Sequence, residues 1–162
     1  MTSGTEREIR YGLADPADFA QLSGIDFLRG MIAGDIPAPT IAERLDFRLV
    51  EVSEGKAVFE GHPGPHLLNP LGSVHGGVAL TLIDSAAGCA LHTLLDAGIG
   101  YATVETKVNF TRPIRPDSGP IRAEGQVVTY GRQIATAEAR LLSSDGKVVA
   151  HGGSTLMIFA AR

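Results

Sequence analysis

The 162-residue sequence predicts an α+β fold: one long central helix wrapped by a curved antiparallel sheet of five or six strands. The first observation behind this is "VHGGVALTLIDSAAGCALHTLL", Val74 to Leu95, an apolar run of helix length. Its centre, Ser85 to Ala90, consists of small residues. The second is a strand pattern near the C-terminus. Ala135, Ala137, Ala139 and Leu141 share one face there, while Ile134, Thr136, Glu138 and Arg140 share the other. Small residues on both surfaces let a helix lie close to a sheet. The third is the element count, since one long helix among six strand candidates supplies no succession of βαβ units.

Each element follows in chain order. Residues 1–12 are polar and read as a frayed tail. Asp15-Pro16 is a helix cap with proline at the first helical position. Phe19, Leu22, Ile25, Leu28 and Ile32 then recur at helical spacing, with breaks expected at Gly24 and Gly30. "GDIPAPT", Gly34 to Thr40, reads as an extended linker. It separates an N-terminal helical extension, residues 1–40, from a main domain over residues 41–162. Leu45–Val52 and Lys56–His62 form a hairpin through Ser53-Glu54-Gly55. After the central helix come strand candidates at Tyr101–Thr111, Ile121–Tyr130, Arg132–Leu142 and Val148–Phe159.

Composition excludes several classes of function. Hydrophobic residues at 44% and charged ones at 20% describe a globular chain rather than a disordered one. A net charge of −4 provides no general basic field for nucleic acid. The chain opens with no signal-peptide pattern, and Asp84 with its small neighbours argues against a membrane span. A lone Cys89 precludes an internal disulfide and suits a reducing compartment. A soluble cytoplasmic protein is expected.

Candidate site residues gather around the central run. Asp84 is its only carboxylate, and an unpaired buried carboxylate costs several kcal/mol. One reading is structural: a carboxylate paired with an arginine or capping a backbone group. The other is a desolvated general base or nucleophile. Gly76-Gly77 opens the same helix. Either it eases a tight turn, or it leaves the first-turn N–H groups open to a developing oxyanion. Asn69 and His75 flank that loop and are placed to orient a carbonyl or a water. Arg112, Arg115, Arg122 and Arg132 are read either as phosphate-holding residues or as solvated loop charges.

Other patterns carry less. His62 and His66 stand four apart, but Pro63 and Pro65 preclude a helical metal face, so no zinc site is expected. His92 and His151 read as ordinary, partly buried histidines. "GSVHG" lacks the serine of a nucleophile elbow, and no phosphate-loop or dinucleotide glycine pattern is present.

"NPLGSVHGGVALTLIDSAAG" resembles the signature of hotdog-fold acyl-CoA thioesterases of the PaaI-like, phenylacetate-pathway branch. An Asn is followed six residues on by His-Gly-Gly, and an Asp lies eight after the first Gly. The likeness runs from about Gly24 to Phe159 and includes "NFTRPIRP" and the later "GR" turn. It implies an enzyme that hydrolyses an acyl-CoA, aryl or medium-chain, to free acid and CoA without metal or cofactor. Residue by residue, Asp84 activates water or attacks the thioester carbon, and the Gly76 N–H polarises the carbonyl. Asn69 and His75 shape that end of the site, and Thr103 is the nearest match to a hydroxyl beside the carboxylate. Arg112 and Arg132 are the candidates for the CoA phosphates. The rivals are a hotdog hydratase or dehydratase, faintly suggested by "GHPGP", and a non-catalytic acyl-CoA-binding protein.

Spacing adds an independent expectation. Gly76 and Asp84 are eight residues apart, roughly 12 Å along a helix, so one chain cannot bring both to one carbonyl. A two-fold homodimer sharing each site is expected, and the resemblance implies pairing of such dimers.

Overall fold

The apolar run organises the molecule as expected. In the computed structural model, which describes residues 9–160, it forms helix α4, Gly76–His92. Helices α1 (Pro16–Gln21), α2 (Gly24–Ala33) and α3 (Thr40–Leu45) precede it, as do strands β1 (Phe47–Ser53) and β2 (Lys56–Gly61). β3 (Ile99–Phe110), β4 (Ile121–Tyr130), β5 (Ile134–Leu142) and β6 (Val148–Ala160) follow. The six strands make one antiparallel sheet in the order β1-β2-β4-β5-β6-β3. This is the hotdog arrangement: a sheet curved around one helix.

Close approach depends on the small residues. Ala86, Ala87 and Ala90 on α4 are fully buried, as are Ala57, Ala123, Ala135 and Ala150 on the strands. Gly125 of β4 lies against the Ala86 carbonyl, where any Cβ would collide with helix backbone. Leu82, Ile83 and Leu91 of α4 fill the remaining space with Ile121, Leu141 and Leu156 of the sheet. Burying side chains of this size contributes about 1.5–3 kcal/mol each.

The N-terminal helices differ from expectation in detail. Asp15 caps α1 by accepting from the Ala17 N–H at 2.8 Å, as its sequence predicts. The break comes at Leu22-Ser23, and Gly24 begins α2 rather than interrupting it. A side chain at Gly24 would meet the His92 carbonyl. Gly30 lies inside α2 with Ile36 packed on it. α2 ends at Gly34, in the left-handed region with φ 80°. Phe27, Leu28 and Ile36 join the same core as α4.

Three readings are corrected. Strand β1 begins at Phe47 rather than Leu45, because Thr40–Leu45 is helical and ends at Asp46 with φ 51°. Six residues are too few to display helical periodicity. Of the expected tail, residues 1–8 lie outside the described residues, whereas Arg10–Gly12 are tied down. The Arg10 guanidinium donates to the Asp35 carbonyl at 2.7 Å, and the Gly12 N–H donates to that of Ala38 at 2.9 Å. His151 is exposed on the outer sheet face rather than partly buried. Among the described residues, no helix is long and apolar enough to cross a membrane.

Candidate active site

The sequence-predicted residues fall into two groups along α4. At its start, Asn69, His75, Gly76 and Arg112 line a cleft of about 320 Å³ together with Phe110 and Ile114. Asn69 ties the loop before the helix: its Oδ1 accepts from the N–H groups of Leu71 (2.9 Å) and Ser73 (3.2 Å). His75 is the N-cap. Its Nδ1 accepts from the Gly77 N–H at 2.9 Å, which leaves the neutral ring's proton on Nε2.

Those contacts distinguish the two glycines. The Gly77 N–H is taken by His75, and the Val78 N–H by the His75 carbonyl at 3.0 Å. The Gly76 N–H has no hydrogen-bond partner among the described residues. It sits at the positive end of the helix, where an oxyanion is stabilised. A Cβ at Gly76 would come within 3.2 Å of the Phe110 ring. Glycine therefore keeps both the donor and the cleft accessible.

Two turns further on, Asp84 is neither fully buried nor unpaired. It is half-buried, and its Oδ1 accepts from the Thr103 and Thr106 hydroxyls, both at 2.9 Å. Thr106 Oγ1 also lies 2.9 Å from Ser154 Oγ on β6. No ion pair or hydrogen bond to Oδ2 occurs among the described residues, so the arginine-paired reading of Asp84 does not describe its surroundings. The arrangement anchors one carboxylate oxygen with charge-assisted bonds and leaves the other able to accept a proton or attack a carbon.

A β-bulge makes this possible. In a regular strand Thr103 and Thr106 would face opposite sides of the sheet. The β3–β6 register shifts between Thr103 and Glu105, so both hydroxyls reach the same oxygen. Alternation from Thr103 points to Glu105, which is why Thr106 and its neighbour Ser154 escaped the sequence reading.

The arginines are not brought together. Arg112 donates to the Val148 carbonyl at 2.7 Å beside the cleft. Arg132 is exposed at the β4–β5 turn, at the opposite end of the sheet and roughly 26 Å away along β5. Arg122 is committed to Glu51 (2.8 Å) and Glu124 (3.0 Å). Burial pushes the Cys89 thiol up to about 12, so it is no nucleophile at neutral pH. Burial pulls His92 down to about 4, so this imidazole is neutral.

Comparison with known proteins bears on the family and the fold. Residues 71–150 match the thioesterase superfamily, a span that holds both Gly76 and Asp84. A Saccharolobus solfataricus protein, named as a candidate esterase, is 32% identical over 68% of this chain and 77% of its own. A Ralstonia eutropha phenylacetic acid degradation-related protein, named as a candidate thioesterase, superposes with TM-score 0.73 at 26% identity. The overlap covers 81% of this chain and 98% of that one. A hypothetical thioesterase protein of Streptococcus pneumoniae, solved with coenzyme A, shares the fold with TM-score 0.65 at 21% identity, covering 72% and 91%. The fold, the matched segment and these relatives bear out the resemblance read from the sequence: the chain belongs to the thioesterase superfamily and is a hotdog-fold thioester hydrolase.

Proposed function

We propose that the substrate is an acyl-CoA, with an aryl or medium-chain acyl group, hydrolysed by water to the free acid and CoA. The observation that carries this is Asp84, one oxygen anchored by two threonine hydroxyls and the other open, on the same helix as an uncommitted N–H. The Gly76 N–H takes the carbonyl oxygen as it gains charge. Asp84 either draws a proton from the water that attacks the thioester carbon, or attacks that carbon itself. The second route expels the CoA thiolate and leaves a mixed anhydride that water then cleaves; both end in the acid and the thiol. Asn69 and His75 hold the loop that presents Gly76, and Thr103 holds the carboxylate. The coenzyme A bound by the Streptococcus pneumoniae relative supports CoA as the carrier.

The site is shared between two chains. α4 is continuous from Gly76 to Asp84, which keeps the two groups roughly 12 Å apart within one molecule. Their midpoint is Leu80, 40% exposed on the helix surface. Beside it, β3 is a twelve-residue free edge on which Val104 and Phe110 are 62% and 59% exposed. The strand also exposes Glu105, Lys107 and Asn109, so it is a long mixed edge whose unpaired backbone groups are open to a second strand. A two-fold axis near Leu80 sets the Gly76 of one chain beside the Asp84 of the other and joins the two β3 edges antiparallel. It also brings Arg132 of the partner subunit toward Arg112, so that both arginines can serve one CoA. Such dimers pair again into a dimer of dimers. Residues 1–40 are the extension and residues 41–162 the thioesterase domain, and a lone cysteine with a buried thiol suits the cytoplasm.

Thiol release across aryl and straight-chain acyl-CoAs tests the reading. Turnover of at least one group is expected, and a protein that releases CoA from none would overturn it.

A further inference from the structure

One strip of α4 is left partly open by the described residues, although Asp84 on it is held by Thr103 and Thr106 of β3. Gly77, Leu80, Thr81, Asp84, Ser85 and Cys89 recur at helical spacing, and each keeps part of its surface open. The strip ends where Gly88 and His92, the next positions on the same helix face, are buried. Tyr101, at the start of β3, stands at that stop. A Cβ on Gly88 would come 2.6 Å from its hydroxyl oxygen, so glycine makes the room in which the ring lies. Tyr101 is two residues before Thr103, ahead of the bulge, so both face the helix.

The ring is braced from behind. Its centroid lies 5.8 Å from that of His92, which in turn lies 6.0 Å from Phe19 and 5.5 Å from Phe27. Phe19 and Phe27 belong to α1 and α2, outside the segment that matches the family. The Gly24 N–H and Gly98 N–H fasten the same region by donating to the Leu95 and Phe19 carbonyls, at 2.9 and 3.0 Å. Burial, with the neighbouring Cys89 and Asp84, raises the Tyr101 hydroxyl well above its ordinary value, and His92 is neutral. The end of the strip is therefore an uncharged, aromatic stop.

Resting on the acyl-CoA thioesterase reading, we propose that Tyr101 is the specificity-determining residue of this site, a wall held by the N-terminal helices that limits acyl length. From Asp84 to Gly88 is one helical turn, roughly 6 Å. Within the aryl or medium-chain reading, that depth favours compact acyl groups, a single ring or the shorter straight chains, over longer chains.

The test compares kcat/KM for butanoyl-, benzoyl- and dodecanoyl-CoA in the wild type, Tyr101→Ala and Tyr101→Phe. The wild type should favour the compact groups. Tyr101→Ala should raise the dodecanoyl-to-butanoyl ratio by about tenfold or more, the scale of methylene discrimination in an apolar pocket. Tyr101→Phe, which fills the same space, should leave the ratio unchanged. Where Tyr101→Ala melts below the assay temperature, Tyr101→Leu reports the same shift. An active wild type with an unshifted ratio in the shortened variant, or one that already prefers dodecanoyl-CoA, overturns the wall alone. A wild type inactive on all three thioesters would instead count against the proposed function.

Discussion

The two ends of the proposed catalytic stretch of α4 are built on different principles. At Gly76 the functional group is backbone, and side chains serve only to keep it clear: His75 caps the next N–H, and Asn69 stitches the loop. At Asp84 the functional group is a side chain aimed by other side chains, with Thr103 and Thr106 fixing one oxygen. A backbone donor needs only a helix start and a missing Cβ. A carboxylate needs a local defect in the neighbouring strand. The first is a property of sequence neighbours, while the second depends on residues nineteen and twenty-two positions away.

Breaking the side-chain end should have the larger effect. Asp84→Asn keeps the size and the threonine contacts but removes the base. A fall in kcat of about 10²–10⁴-fold on the best acyl-CoA is expected. A variant that keeps most of its turnover would return Asp84 to a structural role.

Breaking the backbone end requires proline. Gly76 is the first residue of α4, where proline is tolerated, and His75 already has the extended backbone (φ −61°, ψ 136°) that a following proline demands. Gly76→Pro should keep the fold and lower kcat by about 10²–10³-fold relative to Gly76→Ala, the usual loss for one oxyanion donor. Gly76→Ala is the reference because it adds the Cβ against Phe110 but keeps the N–H. Unaltered kcat with a native circular dichroism spectrum would show that the donor lies elsewhere.

Combining the two lesions sharpens the comparison. When Asp84→Asn and Gly76→Pro chains exchange subunits, the proposed shared site gives each mixed dimer one doubly damaged site and one intact site. Equal mixing makes about half the dimers mixed, so activity should return to about a quarter of wild type. If exchange is confirmed by native mass spectrometry and the mixture stays inactive, the shared site is wrong.

The smallest expected effect lies beyond both ends, at His92. Its folded value of about 4 is below the ordinary 6.5, so the unfolded chain binds more protons between those values. Stability is full above about pH 6.5 and falls as pH drops toward 4, by about 3 kcal/mol at most. His92→Phe, which keeps a ring against Phe19 and Phe27, should flatten the melting-temperature slope across that window. An unchanged slope would assign the acid sensitivity to other groups.

Much of this was legible in the sequence because it depends on local chemistry. Asp15-Pro16 announced α1, the Ser53-Glu54-Gly55 turn announced the β1–β2 hairpin, and the alanines of β5 announced the face that meets α4. Gly76, Asn69 and His75 fall together because they are neighbours in sequence. α3 was not legible, since six residues do not complete a periodic pattern.

What the sequence by itself determined is therefore the helix, its small-residue face, the donor at its start and the carboxylate two turns later. Each follows from residue type and a fixed period of 3.6 or 2. Tertiary structure alone decided how the carboxylate is held and where its helix strip ends. The bulge at Val104 resets the phase of β3 and delivers Thr106 as well as Thr103 to one oxygen. Gly88 and Tyr101, thirteen residues apart, meet only because β3 turns back antiparallel to the helix. Periodicity reports which face a residue takes. It carries no record of a phase shift forced by packing, or of which distant ring fills the space a glycine leaves.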